Sequence, residues 1–163
     1  MSYEQLKLEN QLCFPLYAVS HLITRRYQPY LEKLGITYPQ YLVLLVLWEN
    51  NGLSVNEISK KLMLNTNTVT PLLKRMEKTG LINRSRSEKD ERKVMIDLTH
   101  DGRNMREEAV KIPGKLAKGF IPDAISMDDV RYLKGILDRI ITHLSQEQRI
   151  SPGDPTSSGS DNK

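Results

Sequence analysis

The sequence predicts a mainly α fold carrying one small β-hairpin. Three observations carry that prediction. Apolar residues recur at helical spacing along most of the 163-residue chain. Pairs with capping-box spacing, Thr37 with Gln40 and Ser54 with Glu57, mark helix starts. Only the stretch 81–98 reads as strand: "LINRSRS" and "KVMIDL" alternate, with the charged "SEKDERK" between them.

The elements follow in order. Residues 5–28 place Leu12, Leu16, Val19, Ile23 and Tyr27 on one helical face, with Cys13, Tyr17 and Ser20 on a neighbouring stripe. Pro29 and Gly35 are expected to break that helix. Thr37, Pro39 and Gln40 open the next, and the apolar run Tyr41 to Trp48 reads as a buried helix ending at Asn51-Gly52. Ser54 and Glu57 open a short helix whose inner face is Val55, Ile58 and Leu62. After "LMLN", Asn65 is expected to cap a helix over 66–79 with Val69, Leu72, Leu73 and Met76 facing inward and Gly80 at its end. Two short helices with a tight connection have helix-turn-helix spacing. Followed by a hairpin with a basic tip, they make a winged helix-turn-helix: α with a small β-hairpin wing. On that hairpin Arg84 and Arg86 share the phase of Ile82 or flank it, depending on a bulge.

Thr99 caps a helix expected to run to Ile112, where Pro113 and Gly114 interrupt it. Residues 113–125 are ambiguous. Ser126 with Asp129 opens a final helix whose stripe, Val130, Leu133, Leu137, Ile140 and Leu144, is spaced like a coiled-coil seam. The tail "SPGDPTSSGSDNK" is disordered by composition. The expected organisation is a single domain over 1–150, with the winged helix at about 53–100 and dimerisation helices at about 5–34 and 113–148, followed by the tail 151–163.

Bulk properties exclude several classes. No apolar run approaches the roughly 18–20 residues of a membrane-spanning helix. "MSYEQLKLENQ" lacks the basic and apolar regions of a secretory signal. The one cysteine, Cys13, cannot form an internal disulfide, so a reducing, cytoplasmic location is expected. The net charge of +4 is concentrated: between Lys74 and Lys93 eight cations stand against four anions, which equals the whole-chain excess. That points to a polyanionic partner. There is no phosphate-binding glycine loop or dinucleotide fingerprint. His21, His100 and His143 lie apart, without metal-ligand spacing. No metal, cofactor or enzymatic activity is expected.

The stretches "ITYPQYLVLLVLWEN" and "TVTPLLKRMEKTGLINRSRSEKDERKVMIDLTHDG" carry a resemblance, above all Asp90-x-Arg92 followed by Leu98-Thr99-x-x-Gly102. Over roughly residues 5–112, and more loosely in the C-terminal helices, the chain resembles the MarR (multiple antibiotic resistance regulator) family. "ENQLCFPLY" and "TYPQY" resemble its one-cysteine organic hydroperoxide resistance branch. The resemblance implies a homodimeric repressor on a pseudo-palindromic operator in double-stranded DNA. In that branch a cysteine thiolate is held by two tyrosine hydroxyls, at positions matching Tyr27 and Tyr38. Its oxidation to sulfenic acid releases DNA. Two stretches depart from the pattern: Pro15 stands where an apolar residue is usual, and "NTNTVTP" opens the recognition helix.

On this reading the helix 66–79 lies in the major groove. Thr66, Asn67, Thr68 and Thr70 reach phosphates and base edges from its N-terminal end. Lys74 and Arg75 follow, and Arg75 is placed to contact guanine or phosphate. Arg92 is the wing-tip residue for the minor groove, oriented by Asp90. Arg84 and Arg86 are expected to hold phosphates. At Cys13 the thiolate is the peroxide-reactive form, and hydroxyl donors such as those of Tyr17, Tyr27 and Tyr38 favour the charged form. Tyr27 lies about four helical turns from Cys13. Tyr27 and Tyr38 are therefore expected from the partner subunit. An oxidised Cys13 has no second cysteine to resolve it, so a small cellular thiol or overoxidation is expected next. The competing functions are a MarR-type repressor released by a small aromatic ligand, a thiol peroxidase using Cys13, and a dimeric interaction protein, which the clustered charge disfavours.

Overall fold

The computed structural model describes residues 3–120 and 125–150, with the side chains of 117–120 and 147–150 left aside. The chain forms two compact units, Met1–Lys118 and Gly119–Lys163. The expected tail, 151–163, lies outside the described residues.

The first unit opens differently from expectation. Residues 4–10 form two single 3-10 turns, and helix α1 is Cys13–Lys33. The start is late because side-chain amides compete for the backbone: Asn10 Nδ2 donates to the Glu4 carbonyl at 2.8 Å and Gln11 Nε2 to that of Gln5. Cys13 is thus the first helical residue. Pro15 falls in the first turn, where its missing N–H has no helical carbonyl to reach. It fits the helix rather than disturbing it. Pro29 does not break α1 either; it removes one backbone bond inside the helix. The stop is Gly35, whose φ of +66° suits a residue without Cβ.

Helix α2 is Tyr38–Glu49. Its Gln40 side chain reaches back to accept the Thr37 N–H at 2.8 Å, as the capping spacing predicts. Tyr41, Val43, Leu44 and Leu47 are buried, so α2 is the central helix of the core. Strand β1, Leu53–Ser54, was not expected; at two residues it is too short for alternation to register. Helix α3, Val55–Leu62, carries the Ser54–Glu57 box and ends at Met63 in the left-handed region, φ +55°. Helix α4 is Thr66–Lys78. Asn65 occupies its N-cap position, but its side chain makes no cap bond; the backbone carbonyl alone accepts the Thr68 and Val69 N–H groups. Val69, Leu72, Leu73 and Met76 are buried as the spacing predicts.

Strands β2, Ile82–Arg86, and β3, Val94–Leu98, form an antiparallel hairpin, and β1 adds to its other side in the order β1-β3-β2. Ile82 faces Leu98, Arg84 faces Ile96 and Arg86 faces Val94 with no bulge between them, so both arginines share the phase of Ile82. The expected helix from Thr99 to Ile112 is instead split into α5 (His100–Asn104), α6 (Arg106–Ala109) and α7 (Lys111–Phe120). Pro113 and Gly114 do not interrupt: they lie in the first turn of α7, where a missing N–H costs nothing. The core joins Leu31 and Ile36 to α2, Ile58, the inner face of α4, and Ile82, Ile96 and Leu98 of the sheet.

In the second unit the described structure beyond the last two residues of α7 is Ile125, Ser126 and helix α8, Met127–Ile150. Ser126 and Asp129 form the reciprocal cap expected of them. Leu133, Ile140 and Leu144 of the seam are exposed, with Val130 and Leu137 partly covered. Among the described residues no helix is long and apolar enough to cross a membrane.

Candidate thiol site and nucleic-acid interface

Helix α4 presents two faces. The inner one is buried in the core. The other carries Thr66, Asn67, Thr68, Lys74 and Arg75, all exposed, with Thr70 half-buried at the boundary. Pro71, the sixth residue of α4, has no N–H to offer the Asn67 carbonyl. The N-terminal turn therefore offers small hydroxyl and amide side chains, unpaired backbone N–H groups and, one turn on, two cations.

The wing sets its two charged neighbours apart. Asp90 Oδ1 accepts the backbone N–H of Arg92 at 3.2 Å, and the Asp90 carbonyl accepts that of Lys93 at 2.8 Å. Asp90 thus shapes the turn at the tip through the Arg92 backbone, where the sequence reading had it orienting the arginine head. The Arg92 guanidinium is exposed and makes no ion pair among the described residues. Arg86 is exposed at the base of the tip. Arg84 differs: its side chain is only 19% exposed and its Nη1 pairs with Glu77 Oε2 at 3.3 Å. That contact ties the wing to α4.

Cys13 is exposed at the start of α1. Tyr17, one turn on, is also exposed and stacks on His21 with ring centroids 6.1 Å apart and planes 9° from parallel. Tyr27 and Tyr38 are elsewhere in the chain but together, ring centroids 5.1 Å apart. Burial holds the Tyr27 and Tyr38 phenols above the usual tyrosine range, and at Tyr38 the neighbouring Tyr27 phenol adds to the rise. They remain neutral O–H donors at ordinary pH. α1 is one unbroken helix from Cys13 to Lys33, which puts Tyr27 about 21 Å along the axis from Cys13. Within one chain the structure brings the two tyrosines together and leaves the cysteine apart.

Sequence reading missed a third member. The Tyr41 ring centroid lies 5.7 Å from that of Tyr27 and 6.3 Å from that of Tyr38, and its ring packs edge to face with Trp48, centroids 6.2 Å apart. Its spacing of three from Tyr38 on a helix was the available signal. The Trp48 indole donates to the Gly102 carbonyl at 2.8 Å, a partner 54 residues away that no local pattern encodes.

Comparison with known proteins gives a consistent picture. Residues 25–109 match the family described as transcriptional regulator SarA/Rot. The chain is 50% identical over 145 residues to the organic hydroperoxide resistance transcriptional regulator of Bacillus subtilis (strain 168), covering 89% of this chain and 97% of that protein. Among solved structures it resembles AbfR of Staphylococcus epidermidis, in its reduced form bound to DNA, with a TM-score of 0.72, 39% identity, and coverage of 88% of this chain and 99% of that one. The overoxidized AbfR bound to DNA matches with a TM-score of 0.71 and 40% identity over 88% of this chain and 99% of that one.

Proposed function

The chain belongs to the SarA/Rot family of transcriptional regulators, within the winged-helix MarR class, and on that premise we propose that it is a homodimeric repressor released from its DNA operator when an organic hydroperoxide oxidises Cys13. One observation carries the reading: Tyr27 and Tyr38 form a half-buried pair of hydroxyl donors about four helical turns from the only cysteine. Such a site is complete only when a second copy supplies the tyrosines to Cys13. The exposed apolar residues beside the sulfur, Leu12, Phe14, Leu16 and Val19, support burial against that copy.

The chemistry then runs in two steps. The Cys13 thiolate attacks the outer peroxide oxygen, the O–O bond breaks, and the sulfur is oxidised to sulfenic acid while the hydroperoxide leaves as an alkoxide that takes a proton to become an alcohol. A small cellular thiol next attacks the sulfenic sulfur, forming a mixed disulfide and releasing water. Overoxidized AbfR has been solved bound to DNA. We accordingly assign release in this chain to the bulk of the mixed disulfide at the subunit interface.

Each copy places the N-terminal turn of α4 in a major groove and Arg92 in the flanking minor groove, with the protein acting in the cytoplasm. The test is an anisotropy titration of reduced and hydroperoxide-treated protein on the DNA upstream of its own gene. The reading predicts tight binding that weakens steeply with salt and is lost on treatment. A flat salt dependence, or equal affinity in both states, contradicts it.

A further inference from the structure

We propose that α2 is the rod that carries the state of the tyrosine cluster to the wing, and that Trp48 and Asn51 are the positioning residues at its far end. This rests on the function proposed above.

The two ends of α2 make different contacts. Its first turn holds Tyr38 and Tyr41, both against Tyr27 of α1. Its last turn and the residues just after it hold the base of the wing. Trp48 Nε1 donates to the Gly102 carbonyl at 2.8 Å. Asn51 makes two bonds: its Nδ2 donates to Asp97 Oδ1 at 2.8 Å, and its Oδ1 accepts the Leu98 N–H at 2.8 Å. Asp97 and Leu98 end β3, the strand that leads straight to the wing tip. The two ends are joined along one face, because Tyr41 and Trp48 are seven residues apart and their rings meet edge to face.

The middle of α2 cannot absorb a movement. Val43, Leu44 and Leu47 are fully buried, and close-packed interiors shift as units rather than deform. A displacement of the tyrosine end therefore reaches Trp48 and Asn51 as a displacement of the whole rod. It continues beyond the wing base: Gly102 sits under the Leu81 carbonyl, and Thr99 Oγ1 donates to the Gly80 carbonyl at 2.6 Å, at the end of α4. Both DNA-facing elements thus meet the far end of the same helix.

The experiment measures oxidation and release separately in the full-length protein. Intact mass gives the fraction of Cys13 oxidised by cumene hydroperoxide in the presence of a small thiol. Anisotropy on the duplex upstream of its own gene gives the ratio of oxidised to reduced Kd. Trp48→Phe keeps a ring but removes the donor; Asn51→Ala removes the other two bonds and keeps the tryptophan. We expect both variants to be oxidised at the wild-type rate while the Kd ratio falls by about fivefold or more. Trp48 is the chain's single tryptophan, so its emission should also shift on oxidation of the wild-type protein and of no Cys13→Ser control. An unchanged ratio in both variants overturns the proposal and leaves the sensing function standing. So does an equal loss of affinity in both states, which marks a merely structural role. If oxidised wild-type protein is not released at all, the sensing function fails and the coupling fails with it.

Discussion

The Gly102 backbone lies directly against the Leu81 carbonyl: a Cβ at Gly102 would overlap that oxygen and stand 3.2 Å from Leu98 Cδ2. Gly102 N–H is also the donor that Thr99 Oγ1 accepts at 3.0 Å to cap α5. The wing base, the end of α4 and the start of α5 converge here without room for a methyl group.

Gly102→Ala should therefore destabilise the fold by about 1–3 kcal/mol, the range for forcing extra volume into a packed site. Thermal unfolding followed by circular dichroism measures it. An unchanged midpoint would mean that this packing is looser than the geometry implies.

The α3 cap gives a dependence on acid. The Ser54 hydroxyl and backbone N–H both bond Glu57, and they hold its carboxyl below the usual range. A depressed folded value contributes stability above the unfolded value near 4.5 and loses it as pH falls through the folded value. Ser54→Ala should cost about 1 kcal/mol at neutral pH and flatten the acid limb of stability against pH. Urea denaturation across that limb is the measurement; parallel curves for variant and wild type would remove the cap from the account.

At the wing, Arg92→Ala should weaken operator binding by about 1–3 kcal/mol and leave the oligomeric state unchanged. Arg84→Ala, by contrast, breaks the pair with Glu77 and should lower stability as well as affinity. Anisotropy titrations beside thermal melts separate the two. Equal affinity of Arg92→Ala and wild type would reject the wing assignment.

Tyr27→Phe and Tyr38→Phe each remove one hydroxyl and keep the ring that packs against its neighbours. Each should slow the reaction of Cys13 with hydroperoxide and leave binding of the reduced protein to DNA intact. Alkylation rates of Cys13 across pH test this, and profiles identical to wild type would take the tyrosines out of the mechanism.

Much of this was legible because it is local. The inner face of α4 follows from a 3.6-residue period, and Val69, Leu72, Leu73 and Met76 are all buried. The hairpin follows from alternation around a charged tip, and Ser54–Glu57 from its spacing. Asp90 meets Arg92 as the motif suggests, but its carboxylate accepts the backbone N–H rather than holding the guanidinium, a matter of turn geometry that residue spacing does not record. Prolines misled in two places. Pro29 and Pro113 read as breaks, whereas one costs a single bond inside a long helix and the other falls where no bond was due. The tyrosine pair was read from the family resemblance. Tyr41, Trp48 and Asn51 were not, since Trp48 meets Gly102 and Asn51 meets Asp97 across long stretches of chain, and periodicity carries no record of such partners.

The central claim is that the sulfur of Cys13 is the sensor. Serine keeps the size and a hydroxyl, but it cannot form a sulfenic acid or a mixed disulfide. The decisive measurement is DNA release by organic hydroperoxide in the presence of a small thiol, run on wild type and Cys13→Ser with intact-mass analysis of the same samples. Wild type should gain the mass of one thiol adduct and leave the DNA in proportion to it, while Cys13→Ser binds as tightly as the reduced protein and stays bound. Release of Cys13→Ser by hydroperoxide would contradict the account and make Cys13 a packing residue.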